Sequence, residues 1–234
     1  MKRIFFILTT ICLLNICNSV NAQSDNSTGN WNALFWKAKL YKKWSLVGEA
    51  QIKSNTYSLK YDYYEIKAGI SYALAKNLSG TFSSGFFRTF QTGGLFLSPT
   101  KQKEFRSWLE LFYKLSFDHL NIDQRVRLEQ RFIGDTYKNR FRYRLAFLTP
   151  FNTVRIVPGS IYLNLVDELF MPQYGITVEK NRFYAGLGYK LNESVAVQVG
   201  NMRDTDYKPD SRTYKNYIQV LFICDFTNLF KKHS

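Results

Sequence analysis

Beyond residue 30 the chain alternates apolar and polar residues with a period of two. From 121 to 132 one face carries Asp123, Arg125, Arg127, Glu129 and Arg131, while the other carries Ile122, Val126, Leu128 and Phe132 with two glutamines. From 139 to 148, Arg140, Arg142 and Arg144 oppose Phe141, Tyr143, Leu145 and Phe147. Successive strand residues point to opposite faces, so this period predicts β-strands whose two faces meet different environments. In 44–53, Glu49, Gln51 and Lys53 oppose Leu46, Ala50 and Ile52, and in 61–74, Glu65 and Lys67 oppose Tyr64, Ile66, Ile70, Tyr72 and Leu74. In 104–117, Arg106, Glu110 and Lys114 oppose Phe105, Leu109, Leu111, Tyr113, Leu115 and Phe117, and in 181–191, Arg182 and Lys190 oppose Phe183, Leu187, Tyr189 and Leu191. Segments 31–41, 78–90, 159–170, 194–203 and 213–226 follow the pattern less strictly, giving 11 predicted strands.

Alternation fits a soluble barrel with its apolar face inward and a membrane barrel with its apolar face outward. Other features favour the membrane barrel. The segments exceed the five or six residues usual in globular strands and match the roughly 9–11 tilted residues that cross a bilayer. Trp31, Tyr41, Trp44, Tyr61, Tyr72, Tyr137, Tyr162 and Tyr214 gather near segment ends, where interfacial girdles belong. Short connectors at 42–43, 75–77, 118–120 and 192–193 alternate with longer ones at 54–60, 91–103, 133–138, 171–180 and 204–212, the pattern of periplasmic turns and external loops. The expected fold is all-β, a closed antiparallel up-and-down transmembrane β-barrel of about 10 to 12 strands. Bacterial single-chain barrels have even counts. Parity therefore stays open, and the connector 149–160 is where a strand could be miscounted.

The N-terminus has the makeup of an export signal. Lys2 and Arg3 precede a short apolar core from Ile4 to Leu14, and Val20-Asn21-Ala22 offers small residues before a cut. Lipoprotein processing at Cys17 is disfavoured by the branched Ile16 before it. The expected organisation is a cleaved signal at 1–22, a short segment at 23–30, the outer-membrane barrel at 31–226 and a basic extension at 227–234. Cleavage would leave Cys224 as the one cysteine, excluding an internal disulfide and cysteine-built metal sites. No later stretch approaches the roughly 20 apolar residues of a membrane helix. With 17% aromatics and five prolines in 234 residues, the composition disfavours disorder.

Glu49-Ala-Gln51, the run Arg125-Val-Arg127-Leu-Glu129-Gln-Arg131, Asn139-Arg140-Phe-Arg142-Tyr-Arg144, Asp167-Glu168-Leu-Phe170 and Asn181-Arg182-Phe-Tyr-Ala-Gly186 occur in that order. In these the chain resembles an uncharacterised family of Gram-negative outer-membrane β-barrels catalogued as a domain of unknown function. The resemblance spans about 31–226. It implies an outer-membrane barrel and no ligand. One departure from outer-membrane habit is the ending, where Phe226 and Phe230 are followed by Lys231-Lys232-His233-Ser234 in place of a terminal aromatic.

Candidate chemistry lies in the charged faces. Arg125, Arg127 and Arg131 share one strand face, and Arg140, Arg142 and Arg144 share the polar face of the next. Like charges opposite one another are unfavourable, so these rows need Glu110, Asp123, Glu129 and Glu168 as partners. Arginine's planar fork suits bidentate pairing with carboxylates. Glu49, Lys53, Glu65, Lys67, Arg106 and Arg182 complete the expected lumen network. Two readings follow: an electrostatic plug, or a narrow constriction preferring anions. Asp167, adjacent to Glu168, would face lipid, a misfit in this register.

No catalytic constellation stands out. His119 falls in a short turn and His233 beside the C-terminus, neither near an evident nucleophile. Gly93-Gly94 suits a loop, and Gly186 with Gly188 suits a tightly packed strand rather than a phosphate cradle. The net charge of +14 is dispersed over strand faces of an exported chain, which disfavours nucleic acid. The expected partners are outer-membrane lipid, lipopolysaccharide phosphates, the barrel-assembly machinery and, for a pore, small anions. No cofactor or metal is expected, and the oligomeric state is open. A barrel-borne hydrolase or lipid-modifying enzyme is the alternative from another class, and a secreted soluble barrel binding an apolar ligand is the third.

Overall fold

The computed structural model describes residues 23–24, 28–57, 60–91, 96 and 99–227. The expected signal sequence, Gly93-Gly94 and the basic C-terminal extension beyond residue 227 lie outside the described residues. Twelve strands appear in chain order: β1 (Gln23–Ser24), β2 (Gly29–Tyr41), β3 (Trp44–Ser54), β4 (Tyr63–Ala75), β5 (Leu78–Phe90), β6 (Thr100–Phe117), β7 (Leu120–Ile133), β8 (Thr136–Pro150), β9 (Ile161–Pro172), β10 (Lys180–Lys190), β11 (Val195–Lys208) and β12 (Ser211–Asp225). From β2 to β12 each strand pairs with its sequence neighbour in antiparallel register, and β12 returns to β2. The barrel wall thus has eleven strands, one for each segment with the two-residue period.

Eleven strands decide how the wall closes. Every hairpin reverses direction, so the first and last strands of an odd set point the same way. They can meet only in a parallel ladder, which runs from Tyr217↔Gly29 to Asp225↔Lys37. The sheet is therefore mixed, not wholly antiparallel as the even-count rule would require. The two residues of β1 lengthen this seam by pairing in parallel with Thr213 and Tyr214.

The alternation sets the two faces. Leu34, Ile66, Ile70, Phe82, Phe86, Leu109, Leu128, Phe141, Leu187 and Phe222 stand on the outside and are exposed. Trp31, Glu65, Phe87, Trp108, Arg127, Glu129, Arg142, Glu168 and Tyr217 stand inside and are buried. Tyr41, Trp44 and Tyr137 are exposed at strand ends, and Trp44 packs on Tyr72 with ring centroids 4.7 Å apart. Trp31 and Tyr162, expected in the aromatic girdle, point into the lumen and are buried. Their positions near segment ends could not reveal this, because the face depends on odd or even register. Asp167 faces outward, as its register required, and its Oδ1 accepts a 2.6 Å hydrogen bond from Asn181 Nδ2 on β10. Gln124 with Tyr143 and Asn139 with Gln173 form further polar pairs on this side of the exterior.

Connector lengths partly depart from the expected pattern. Two expected loops are tight turns: Gly134-Asp135 joins β7 to β8, and Pro209-Asp210 joins β11 to β12. Gly134 has φ +54°, a left-handed conformation that glycine adopts without steric cost. Connector 151–160 stands at the short-turn end and is a true connector, the longest there. It is held by Ser160, fully buried, whose Oγ accepts from Val157 N at 2.8 Å and donates to Arg155 O at 3.2 Å. His119 lies in the β6–β7 turn, where its backbone N–H donates to Val154 O at 2.8 Å. At the loop end, Asp62 is buried. Its backbone N–H donates to Lys53 O at 3.0 Å, its carbonyl accepts from Phe90 N at 2.7 Å, and its Oδ2 accepts from Asn55 Nδ2 at 3.1 Å. Burial pushes this carboxyl above the ordinary aspartate range, against the two hydrogen bonds from Asn55.

Candidate functional site in the barrel lumen

Parity of position places every charged candidate inside. Glu49 and Lys53 come from β3, Glu65 and Lys67 from β4, and Arg106 and Glu110 from β6. Asp123, Arg125, Arg127, Glu129 and Arg131 come from β7, Arg140, Arg142 and Arg144 from β8, Glu168 from β9 and Arg182 from β10. The β7–β8 register sets Arg127 opposite Arg142 and Arg125 opposite Arg144. That arrangement is repulsive unless carboxylates come between.

Carboxylates from neighbouring rows do so. Glu129 Oε1 takes Arg140 Nη2 at 2.6 Å and Arg106 Nη1 at 3.3 Å, while its Oε2 takes Arg142 Nη1 at 2.9 Å. Glu168 Oε1 takes Arg142 Nη2 at 2.8 Å and Arg125 Nη2 at 2.6 Å. Glu110 Oε2 accepts two hydrogen bonds from Arg127, at 2.9 and 2.7 Å. Lys67 pairs with Glu49 and with Glu65. Glu129 is 2% exposed and Arg142 7%, so the centre of the network is dry.

Aromatic rings fill the space between the ion pairs. Arg106 lies 3.8 Å over Phe87, Arg127 4.7 Å over Trp108, Arg142 4.3 Å over Phe170 and Arg182 4.4 Å over Trp31. Such stacking is more favourable in a desolvated site than at a surface. Lys53 points between Trp31, Tyr63 and Tyr217, each ring centroid about 5 Å from its Nζ. Trp31 Nε1 also donates to Gln51 Oε1.

Sequence reasoning missed several members of this network. Asp204 binds Arg182 Nε at 2.6 Å, although 204–212 reads as a loop. The signal was present, since Met202, Asp204 and Asp206 continue the period of β11. Glu104 holds Arg131 Nε at 2.6 Å and Arg106 Nη2 at 2.8 Å, and Glu179 on the β9–β10 connector reaches Arg140 Nη1 at 2.8 Å.

Below this packed, loop-side half the lumen opens into a cavity of about 310 Å³. Asp123, Arg125, Arg144, Asn164, Gln198 and Gln219 supply polar groups, and Phe35, Leu148, Val166, Met202, Leu221 and Ile223 supply apolar ones, interleaved along the strands. Leu148 and Ile223 lie two residues from the ends of β8 and β12, so the cavity reaches the short-turn rim. On β10, Gly188 makes room for the ring of Tyr162, on which a Cβ there would fall. Among the described residues no group of three or more His, Cys, Asp or Glu is placed to hold a metal ion.

Together, the outward apolar face and the charged interior define a closed β-barrel with an inverted distribution of polarity. The chain belongs to the family described as Protein of unknown function (DUF2490), whose model matches residues 28–215. No curated protein and no solved structure matches the chain.

Proposed function

We propose that this chain is an exported outer-membrane β-barrel whose lumen is closed by ion pairs, a structural barrel rather than an open pore. The observation that carries the reading is Glu129, 2% exposed and in contact with guanidinium groups from β6 and β8 as well as its own strand. A water-filled channel would leave such pairs solvated and weak. A band of exposed Leu, Ile and Phe around eleven long strands supports a lipid environment, since a soluble barrel would turn those residues inward. The expected neighbours are acyl chains around the wall, lipopolysaccharide phosphates near the loop end and the machinery that inserts barrels.

The test is planar-bilayer conductance of the purified, detergent-folded protein, with reversal potential under a salt gradient. Inserted protein is expected to stay silent. Steady anion-selective steps would overturn the plug and support an arginine-lined pore. Recovery in the soluble periplasmic fraction without detergent would overturn the membrane assignment.

A further inference from the structure

One arginine in the lumen, Arg144, has no carboxylate at contact distance, although Glu168, Asp123 and Glu110 attract it from farther away. Of the six basic side chains lining the cavity, Lys67, Arg125, Arg127, Arg142 and Arg182 each have a carboxylate within 4 Å. Arg144 has no ion pair and no side-chain hydrogen bond among the described residues, although it lies cross-strand from both Arg125 and Glu168. The cavity lining also holds buried polar atoms without a hydrogen bond: Asp123 Oδ1, Asn164 Oδ1, Tyr184 Oη and Arg125 Nε, the last 3.7 Å from Glu110 Oε2. Buried polar atoms in folded proteins are nearly always satisfied by protein or ordered water, so these four around one cavity mark where a polar ligand or water enters. Leu148 on Arg144's own strand, Val166 on the next and Leu221 and Ile223 on β12 give the cavity an apolar surface between Arg144 and the short-turn rim.

We propose that the short-turn side of the lumen is a binding site for a single-chain anionic amphiphile, a carboxylate or phosphate carrying a short alkyl chain. The head group pairs with Arg144 and accepts from Arg125 Nε, and the chain lies along Leu148, Leu221 and Ile223. Arginine matches both head groups because its fork presents two parallel donors. Asp123 attracts Arg144 across the lumen but stands beyond ion-pair distance, and its Oδ1, which has no hydrogen bond, suits a hydroxyl on the ligand or a bound water. The volume of about 310 Å³ corresponds to roughly ten waters of liquid, enough for a head group and a short chain but not for a two-chain lipid. The inference rests on the closed lumen, because the plug forms the roof of the cavity.

The probe is octyl phosphate, titrated calorimetrically below its micelle concentration into barrel folded in nonionic detergent. Inorganic phosphate, octanol, octyltrimethylammonium and a two-chain phosphatidate serve as comparisons. One saturable site per barrel is expected, at least ten-fold tighter for octyl phosphate than for any comparison. R144M should lose at least ten-fold in octyl phosphate affinity, and I223N should reduce the advantage of octyl over inorganic phosphate. R144Q makes the same test if R144M does not fold. Absence of saturable binding, equal binding by the Arg144 variants, or a comparison ligand binding as well as octyl phosphate would each overturn the proposal. Heat-shifted gel mobility of the same samples reports the folded barrel separately, so lost binding with intact mobility rejects the ligand and leaves the barrel standing.

Discussion

Glu129→Gln is the sharpest perturbation of the lumen. The substitution keeps shape, replaces one accepting oxygen by an amide NH2 that cannot accept from a guanidinium, and removes one negative charge that contacts Arg140, Arg142, Arg106 and, at 4.0 Å, Arg131. Breaking a buried ion pair by removing one partner costs about 3–5 kcal/mol. Each arginine keeps at least one other carboxylate: Arg142 retains Glu168, Arg106 retains Glu104, Arg131 retains Glu104 and Glu179, and Arg140 retains Glu179. The lower end of the range applies, and E129Q should lose about 3 kcal/mol, on the order of a hundred-fold in the folding equilibrium. Urea unfolding of the barrel in lipid vesicles, followed by tryptophan fluorescence and gel mobility, measures it. In the double variant E129Q/R142M the released guanidinium is gone too, so the loss should fall short of the sum of the singles by about 1 kcal/mol or more. A change within about 0.5 kcal/mol, the ordinary range for surface substitutions, would refute a dry plug. So would a loss that vanishes in high salt, because screening acts on exposed charges and hardly on buried ones.

Gly188→Val places a side chain where the ring of Tyr162 lies; overpacking of this kind costs about 1–3 kcal/mol and should lower the urea midpoint without altering the denaturant slope. Asp62→Asn tests the loop end through pH. Burial raises the folded carboxyl's pKa above its unfolded value near 3.8, so the folded state holds the proton more tightly. The stability this carboxyl contributes is complete below that value and is lost as pH rises through the folded pKa. The variant should therefore be more stable than the parent at pH 7, with the advantage shrinking toward pH 3; a constant difference across that interval would count against the burial. Arg142→Ala should lower stability and leave bilayers silent, and conducting steps in this variant alone would locate the seal at Arg142.

Much of the wall was legible from period two alone, because eleven alternating segments correspond to eleven strands. The charges of β7 and β8 were equally legible, since a run such as Arg125-Val-Arg127-Leu-Glu129 assigns its own faces. What the pattern could not give was partnership between distant rows. Nothing near Arg182 announces Asp204, and nothing near Arg140 announces Glu179; both pairings depend on register and on the path of a connector. Trp31 and Tyr162 show the same limit. A ring near a strand end reads as interfacial until the parity of its position is fixed, and both prove to be lumen fillers. The parallel seam was implied by the count of eleven but concealed by the rule that bacterial barrels are even.

The odd strand count also assigns addresses to the ends of the polypeptide. In an even barrel both termini emerge from the same rim. Here Gly29 starts β2 at the loop rim, whereas Asp225 ends β12 at the short-turn rim. The first and last strands of the wall therefore open at opposite rims, and the backbone of the barrel runs from one face to the other an odd number of times.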